Sequence, residues 1–77
     1  MSLESKIIEC ASAAYGVPAK QITPNTDIRN DLSSKSMNML AFVSGIENDL
    51  DIVIPLGQTG NLITIQDFID KAKDSES

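Results

Sequence analysis

Apolar residues recur every three to four positions in three stretches of the chain, which is the spacing of one face of an α-helix. The first stretch predicts a helix over residues 3–15, ended by Gly16 with Pro18 just beyond. The third begins after Thr64, where Thr64-x-x-Asp67 resembles a capping box, and its apolar face holds Ile65, Phe68, Ile69 and Ala72. We expect the last residues, 74–77, to be a frayed tail.

The second stretch predicts a helix over residues 36–50. Its expected apolar face comprises Met37, Leu40, Val43, Ile46 and Leu50, with Phe42 at the edge. Met39 and Ala41 fall off this face, so we expect them to be exposed or to lie at a partner surface.

The segments between these helices lack a sustained period. For residues 16–35 we predict a long loop with one helical turn near 19–22. Three separate apolar residues are expected to anchor this loop to the core: Ile22, Ile28 and Leu32. Residues 51–55 look extended, but no other segment offers a partner strand, so we predict a loop that buries Ile52 or Ile54. Residues 56–62 contain two glycines and predict a short turn at most. The expected fold is a single all-α domain over 1–77, a three- to four-helix bundle with a long loop between its first two helices.

The composition narrows the chemistry further. The 77 residues include no histidine and one cysteine, Cys10, which excludes an internal disulfide and the usual zinc clusters and fits a reducing compartment. We expect no metal site and no catalytic residues. Cys10 shares a helical face with Leu3, Ile7 and Ala14, which favours a buried, unreactive thiol.

The net charge of −5 is concentrated in one half of the chain. Residues 36–70 hold five acidic residues and no Lys or Arg, whereas the remainder carries six acids and six bases. Such a surface repels nucleic acid and anionic membrane and attracts basic protein surfaces. No apolar run approaches the ~20 residues of a membrane span, and no secretory signal is evident. We expect a cytoplasmic monomer without membrane insertion.

A polar junction precedes the second helix. Ser33, Ser34 and Ser36 crowd it, and Ser36 stands where the helix should begin. A helix N-terminus presents unpaired N–H groups and favours a phosphate, although a serine there is also a common N-cap. Asp31-Leu32, three further residues and then Ser36-Met37 resemble the Asp-Leu-Gly-x-Asp-Ser-Leu motif of acyl carrier proteins.

The resemblance extends over nearly the whole chain. Gly16-Val17, Ile22-Thr23-Pro24, Ile54-Pro55 and Thr64-Ile65 also fall at family-like spacings. It implies an acyl-carrier-type helical bundle whose Ser36 bears 4′-phosphopantetheine, transferred from coenzyme A by a phosphopantetheinyl transferase. The arm would hold an acyl group as a thioester for acyl-activating, synthase or acyltransferase enzymes of fatty acid, lipid or polyketide-type biosynthesis. The protein itself would not be an enzyme.

The departures from the family pattern concern recognition. Lys35 replaces the usual Asp, Ser33 the usual Gly and Met37 the usual Leu, and the second helix is less acidic than is usual. The resemblance therefore implies a specialised carrier. We expect partner recognition at Lys35, Met37, Asn38, Met39, Ala41 and Glu47. The candidates for an acyl crevice are Leu40, Phe42, Val43, Ile46, Ile54, Leu62, Ile65 and Ile69, and each also suffices as ordinary core.

Two alternatives remain open on the sequence. An aminoacyl or peptidyl carrier, such as a D-alanyl carrier protein, shares the fold and the serine. An unmodified helical interaction domain would use Ser36 only as a cap, and Lys35 and Ser33 are the residues that support it.

Overall fold

The computed structural model describes residues 3–32 and 36–76, which form a set of helices and the segments that connect them. The α-helices are α1 (Leu3–Tyr15), α2 (Ser36–Leu50) and α3 (Ile65–Glu76). Between them lie a 3₁₀ turn at Ala19–Gln21, a π-helical turn at Ile28–Leu32 and a 3₁₀ segment at Leu56–Asn61. The described residues contain no strand, only an isolated bridge between Asp27 and Thr64. The predicted all-α bundle is confirmed.

Helix α1 ends where the sequence predicts, at a glycine. Gly16 has φ +69°, and its N–H donates to the Ser12 carbonyl at 2.9 Å. Glycine adopts this left-handed conformation without a Cβ clash and so terminates the helix at low cost. The buried face of α1 presents Ile7, Cys10 and Ala11 to the core.

The face of α2 that is buried in the core differs from the predicted apolar face. Met37 is 80% exposed and Leu40 48% exposed, so neither belongs to the buried face. The buried residues are Phe42, Val43 and Ile46, and Met39 and Leu50 pack against them half-buried. The expectation that Met39 is exposed was therefore wrong, whereas the exposure of Ala41 is confirmed.

An aromatic contact explains the orientation of α2. Phe42 is fully buried, not at the edge of the face, and its ring centroid lies 4.7 Å from that of Phe68 in α3. Tyr15 of α1 also contacts the Phe42 ring edge-on, with the ring centroids 5.9 Å apart. Burying this large ring outweighs burying the flexible Met37 side chain, so α2 turns Phe42 inward.

The long loop after α1 is held by the anchors that the sequence predicts. Ile22 and Ile28 are buried, and Leu32 packs half-buried against the core. In the second connection both Ile52 and Ile54 are buried, where the sequence predicted one or the other. Each anchor contributes hydrophobic free energy that offsets the entropy of ordering its loop.

Backbone hydrogen bonds fasten the long loop to the start of α3. The N–H groups of Ile65 and Gln66 donate to the carbonyls of Thr26 and Pro24, at 3.1 and 2.9 Å. The Ile28 N–H donates to the Ile63 carbonyl at 2.9 Å. The first turn of a helix has N–H groups without intrahelical partners, and here the loop supplies acceptors for two of them.

The π-helical turn was not predicted and depends on Asp27. One carboxylate oxygen, Oδ1, accepts the N–H groups of Arg29 and Asn30, at 3.0 and 2.9 Å. The Asp27 N–H in turn donates to Asp31 Oδ2 at 2.9 Å. Asp27 therefore satisfies the opening of the turn much as an N-cap satisfies a helix.

The capping box of α3 is confirmed. The Asp67 N–H donates to Thr64 Oγ1 at 3.2 Å, and Asp67 Oδ2 accepts the N–H groups of Thr64 and Ile63 at 3.1 and 2.9 Å. These backbone hydrogen bonds, first from Thr64 and then from Ile63, lower the pKa of the Asp67 carboxyl. Helix α3 continues through Glu76, so Asp74 is helical, while fraying of the tail in solution stays a prediction.

Replacing Asp67 with Ala should lower the free energy of unfolding by about 1 kcal/mol, because two loop N–H groups lose their acceptor and α3 loses an acid in its first turn. The matched control is Asp70→Ala, which removes only an exposed hydrogen bond from Gln66 Nε2 and should cost less than about 0.5 kcal/mol. Urea denaturation of the three proteins at pH 7 measures both differences, and equal losses in the two variants would contradict the capping role.

Acid should erase this difference. The folded-state pKa of Asp67 is lowered, so its contribution is complete above the unfolded-state value of about 3.9 and is lost as the pH falls through the folded value. The stability gap between the parent and Asp67→Ala should therefore narrow below about pH 4. A gap that stays constant down to pH 2.5 would show that the ionised carboxylate is not what stabilises α3.

Candidate functional site

The candidate site is the start of α2, which begins at Ser36 as the sequence predicts. Lys35 and the Ser36 side chain lie outside the described residues. The flanking features are defined: Leu32 packs against the core before the site, and Met37 directly after it is 80% exposed. Leu40, one turn further along α2, is 48% exposed. The start of α2 thus combines a solvent-facing helix end with two exposed apolar side chains.

Asn38 fixes the start of α2 to the end of α1. Its side-chain Nδ2 donates to the Ala14 carbonyl at 2.9 Å across a sequence separation of 24 residues. The last carbonyls of a helix lack intrahelical donors, so this bond satisfies one of them. The half-buried Asn38 amide therefore holds the position of the site relative to α1.

The other expected recognition residues are dispersed. Met37 and Ala41 are exposed, whereas Met39 packs half-buried against the core. Glu47 is also half-buried, and its Oε2 accepts the N–H of Ile54 at 2.9 Å. Glu47 therefore fastens the connection after α2, a structural role that sequence reasoning missed. Recognition of a partner by any of these residues stays a prediction.

Most of the crevice candidates lie together in the core. Phe42, Val43, Ile46, Ile54, Ile65 and Ile69 are buried in one cluster. Leu62 packs against that cluster, but Leu40 is exposed and does not contribute to it. The six buried residues fill the interior of the bundle, and shelter of an acyl chain among them stays a prediction.

Tyr15 is a feature that sequence reasoning missed. Its hydroxyl is buried, and it has no hydrogen-bond partner among the described residues. Burial raises the pKa of the phenol, and the charge of Arg29 opposes this shift. The only available signal was the position of a tyrosine at the end of the apolar face of α1, which does not reveal whether its hydroxyl is satisfied.

Cys10 is buried, as predicted, and its thiol is hydrogen-bonded. Sγ donates to Asp49 Oδ2 at 3.2 Å. Burial, then the hydrogen bond to Asp49 and the nearby carboxylates of Asp49 and Glu9, raise the pKa of the thiol to about 12. Because the thiolate is the reactive species, this environment makes Cys10 a poor nucleophile.

Two classes of site are not found in the part of the chain that the structure describes. No group of three or more His, Cys, Asp or Glu side chains there is arranged to hold a metal ion. Among the same residues, each helix is too short or too polar to reach across a membrane.

The chain is similar to two known carrier proteins. It is 31% identical over 65 residues to an acyl carrier protein of Cyanidioschyzon merolae, an alignment that covers 84% of this chain and 71% of the relative. It is 26% identical over 69 residues to an acyl carrier protein of Syntrophobacter fumaroxidans, covering 90% and 85%. No family model matches the chain. Both relatives are carriers and not enzymes.

Cys10 should resist alkylation in the native protein. At pH 8 iodoacetamide should modify the native thiol at least about 100-fold more slowly than the thiol of the same protein in 6 M guanidinium, because the native thiol is buried and protonated. Intact mass spectrometry over time measures both rates. Comparable native and denatured rates would contradict the buried, hydrogen-bonded thiol.

Proposed function

Because this chain belongs to the acyl carrier protein family, we propose that Ser36 carries a 4′-phosphopantetheine arm on which the protein presents an acyl group to partner enzymes. The observation that carries this proposal is the position of Ser36. It is the first residue of α2, it follows the family-like Asp31-Leu32 step, and the residue after it is largely exposed.

The surroundings of Ser36 fit a phosphodiester-linked arm. The first turn of α2 has N–H groups without intrahelical acceptors, and a helix N-terminus favours negative charge. The exposure of Met37 and Leu40 at this end of α2 supports the proposal that a transferase reaches Ser36. The first turn of α2 contains no acidic residue that would repel a phosphate.

The chemistry of attachment needs only the hydroxyl of this chain. A phosphopantetheinyl transferase, with Mg²⁺, would activate the Ser36 hydroxyl to attack the pyrophosphate of coenzyme A, with adenosine 3′,5′-bisphosphate as the leaving group. When bound, the arm supplies a terminal thiol that holds the acyl group as a thioester. The chain's own contribution is positioning: Asn38 fixes the start of α2 to α1, and Leu32 anchors the end of the described part of the long loop to the core.

The exposed surface supports protein partners rather than nucleic acid. Residues 36–70 carry five acids and no base, which attracts basic protein surfaces and accelerates encounter with them. Met37 and Leu40 add an apolar contact beside the attachment residue. We assign the partners to acyl-activating, synthase or acyltransferase enzymes of fatty acid, lipid or polyketide-type biosynthesis, acting in the cytoplasm on a monomeric carrier.

The decisive experiment is enzymatic modification followed by intact mass spectrometry. The protein, coenzyme A, Mg²⁺ and a broad-specificity phosphopantetheinyl transferase should yield a product heavier by one phosphopantetheine group. Ser36→Ala should abolish the gain, whereas the neighbouring Ser33→Ala and Ser34→Ala should retain it. Modification that persists in Ser36→Ala would contradict the assigned site.

A Lys35 variant extends this experiment, because the family usually has Asp at that position. If the parent protein gains no mass, Lys35→Asp separates two explanations. Gain of the arm by Lys35→Asp means that the transferase used rejects Lys35. No gain by either protein means that the chain is an unmodified helical interaction domain. For a modified protein, loading by acyl-activating and by aminoacyl-activating enzymes then distinguishes an acyl carrier from an aminoacyl carrier.

A further inference from the structure

The side-chain oxygen of Tyr15 is buried and lacks a hydrogen bond. Among the described residues it is the one buried side-chain nitrogen or oxygen atom without a hydrogen-bond partner. Thr26, by contrast, is buried with its hydroxyl satisfied, because Oγ1 accepts the Thr23 N–H at 2.8 Å. Burying a hydroxyl without a partner is destabilising, so the Tyr15 oxygen calls for a partner that the described chain does not provide.

Tyr15 lies near the start of α2 and packs against the core. It is the last residue of α1, and the carbonyl of the preceding Ala14 accepts the Asn38 side-chain amide at 2.9 Å. Its ring packs edge-on against that of the fully buried Phe42. Phe42 follows Ser36 by six residues, a rise of about 9 Å along α2. A chain that starts at Ser36 and enters the bundle along the buried face of α2 would therefore meet Phe42 and Tyr15.

The Tyr15 hydroxyl is a hydrogen-bond donor at neutral pH. Burial raises the pKa of the phenol above its usual value, although the charge of Arg29 opposes this shift, so the group stays protonated at pH 7. The core cluster against which Tyr15 packs consists of apolar side chains and Cys10, apart from the polar groups already paired. A protonated donor in such surroundings is satisfied only by an acceptor atom that enters from outside the described chain.

We propose that the Tyr15 hydroxyl donates a hydrogen bond to an oxygen atom along the carried acyl chain, so that this carrier favours oxygenated acyl groups over plain saturated ones. The inference rests on the proposed function, because it takes acyl groups as the cargo. A saturated chain beside Tyr15 leaves the hydroxyl without a partner, whereas a keto or hydroxyl oxygen supplies one. One net hydrogen bond corresponds to roughly a two- to tenfold preference.

Other partners fit the Tyr15 hydroxyl less well. A buried water typically makes about three hydrogen bonds, and no second buried side-chain atom of the described residues is left unpaired to hold one. A metal ion finds no group of three His, Cys, Asp or Glu side chains in the described part of the chain. A side chain on the surface of a partner protein does not reach the hydroxyl, because the oxygen atom is buried.

The first test uses the unmodified protein and the variant Tyr15→Phe, which removes only the hydroxyl. Because no hydrogen bond is lost, the variant should unfold at the same urea concentration as the parent or at a higher one. The matched control is Thr26→Val, which removes a paired buried hydroxyl and should unfold at a lower concentration. If Tyr15→Phe were destabilised as much as Thr26→Val, the Tyr15 hydroxyl would already have a partner, such as an internal water, and the proposal would be wrong.

The second test compares cargoes on the arm. A phosphopantetheinyl transferase attaches the octanoyl, 3-oxo-, 5-oxo- or 7-oxooctanoyl arm from the matching coenzyme A thioester, and intact mass confirms each product. At least one oxo chain should raise the folding equilibrium constant of the parent about two- to tenfold above that of the octanoyl form. Tyr15→Phe should remove this advantage. The ¹³Cζ resonance of the Tyr15 ring should shift with that oxo chain and not with the octanoyl chain.

Failure of the proposed function has a different signature, namely that Ser36 gains no mass. The same acyl groups are then offered in solution as N-acetylcysteamine thioesters, and an oxo thioester should shift the Tyr15 ring resonance saturably where the octanoyl thioester does not. The inference is overturned if no oxo chain exceeds octanoyl in the form tested. It is also overturned if Tyr15→Phe weakens oxo and octanoyl chains equally, because the hydroxyl would then bind the thioester carbonyl that all the chains share.

Discussion

The junction between the long loop and the start of α3 is the constraint on which the rest of the structure depends. A loop of about twenty residues is entropically costly, and here its carbonyls accept the N–H groups of Ile65 and Gln66 that α3 cannot satisfy itself. The capping box of Thr64 and Asp67 completes the same turn. The loop supplies hydrogen-bond acceptors and the first turn of α3 supplies donors, so the loop and α3 stabilise each other.

This junction bears on the site through the loop's apolar anchors. Ile28 is buried beside the junction, and Leu32 packs half-buried shortly before Ser36. Asn38 then ties the first turns of α2 to α1. Leu32 and Asn38 thus both contact the rest of the bundle, while Met37 remains exposed. If Ser36 bears the arm, as we propose, the arm would leave a helix whose first turn is fixed to α1 through Asn38.

Local signals explain what the sequence could predict. The bounds of α1 and α2 and the start of α3 follow from periodicity and from residues such as Gly16 and Thr64, whose effects act within one turn. The rotation of α2 could not be predicted in the same way, because apolar residues occur on several of its faces. The contact of Phe42 with Phe68, which are 26 positions apart, decides it. The π-helical turn depends on hydrogen bonds to the Asp27 side chain, and the spacing of apolar residues does not predict such bonds.

The start of α2, where the candidate site lies, was predictable from the sequence, but the contacts around it were not. Ser36 is the candidate because of its place at the predicted start of a helix and because of the family-like motif, both of which are visible in the sequence. The structural roles of Asn38 and Glu47 required coordinates, because each bonds a backbone group that is distant or in another segment. A groove between α1 and α2, lined by small residues such as Ala13 and Gly45, also required coordinates, because these residues come from two helices that the long loop separates.

Hydrogen exchange at the loop–α3 junction tests the central structural claim most directly. The account predicts that the amide protons of Ile28, Ile65 and Gln66 exchange as slowly as that of Phe42 in the core, because all four are released only when the bundle opens. Residue-resolved NMR exchange measures these rates. If the three junction amides exchanged at the rate of an unstructured peptide while Phe42 remained protected, the loop would not be fastened to α3 and the account would be wrong.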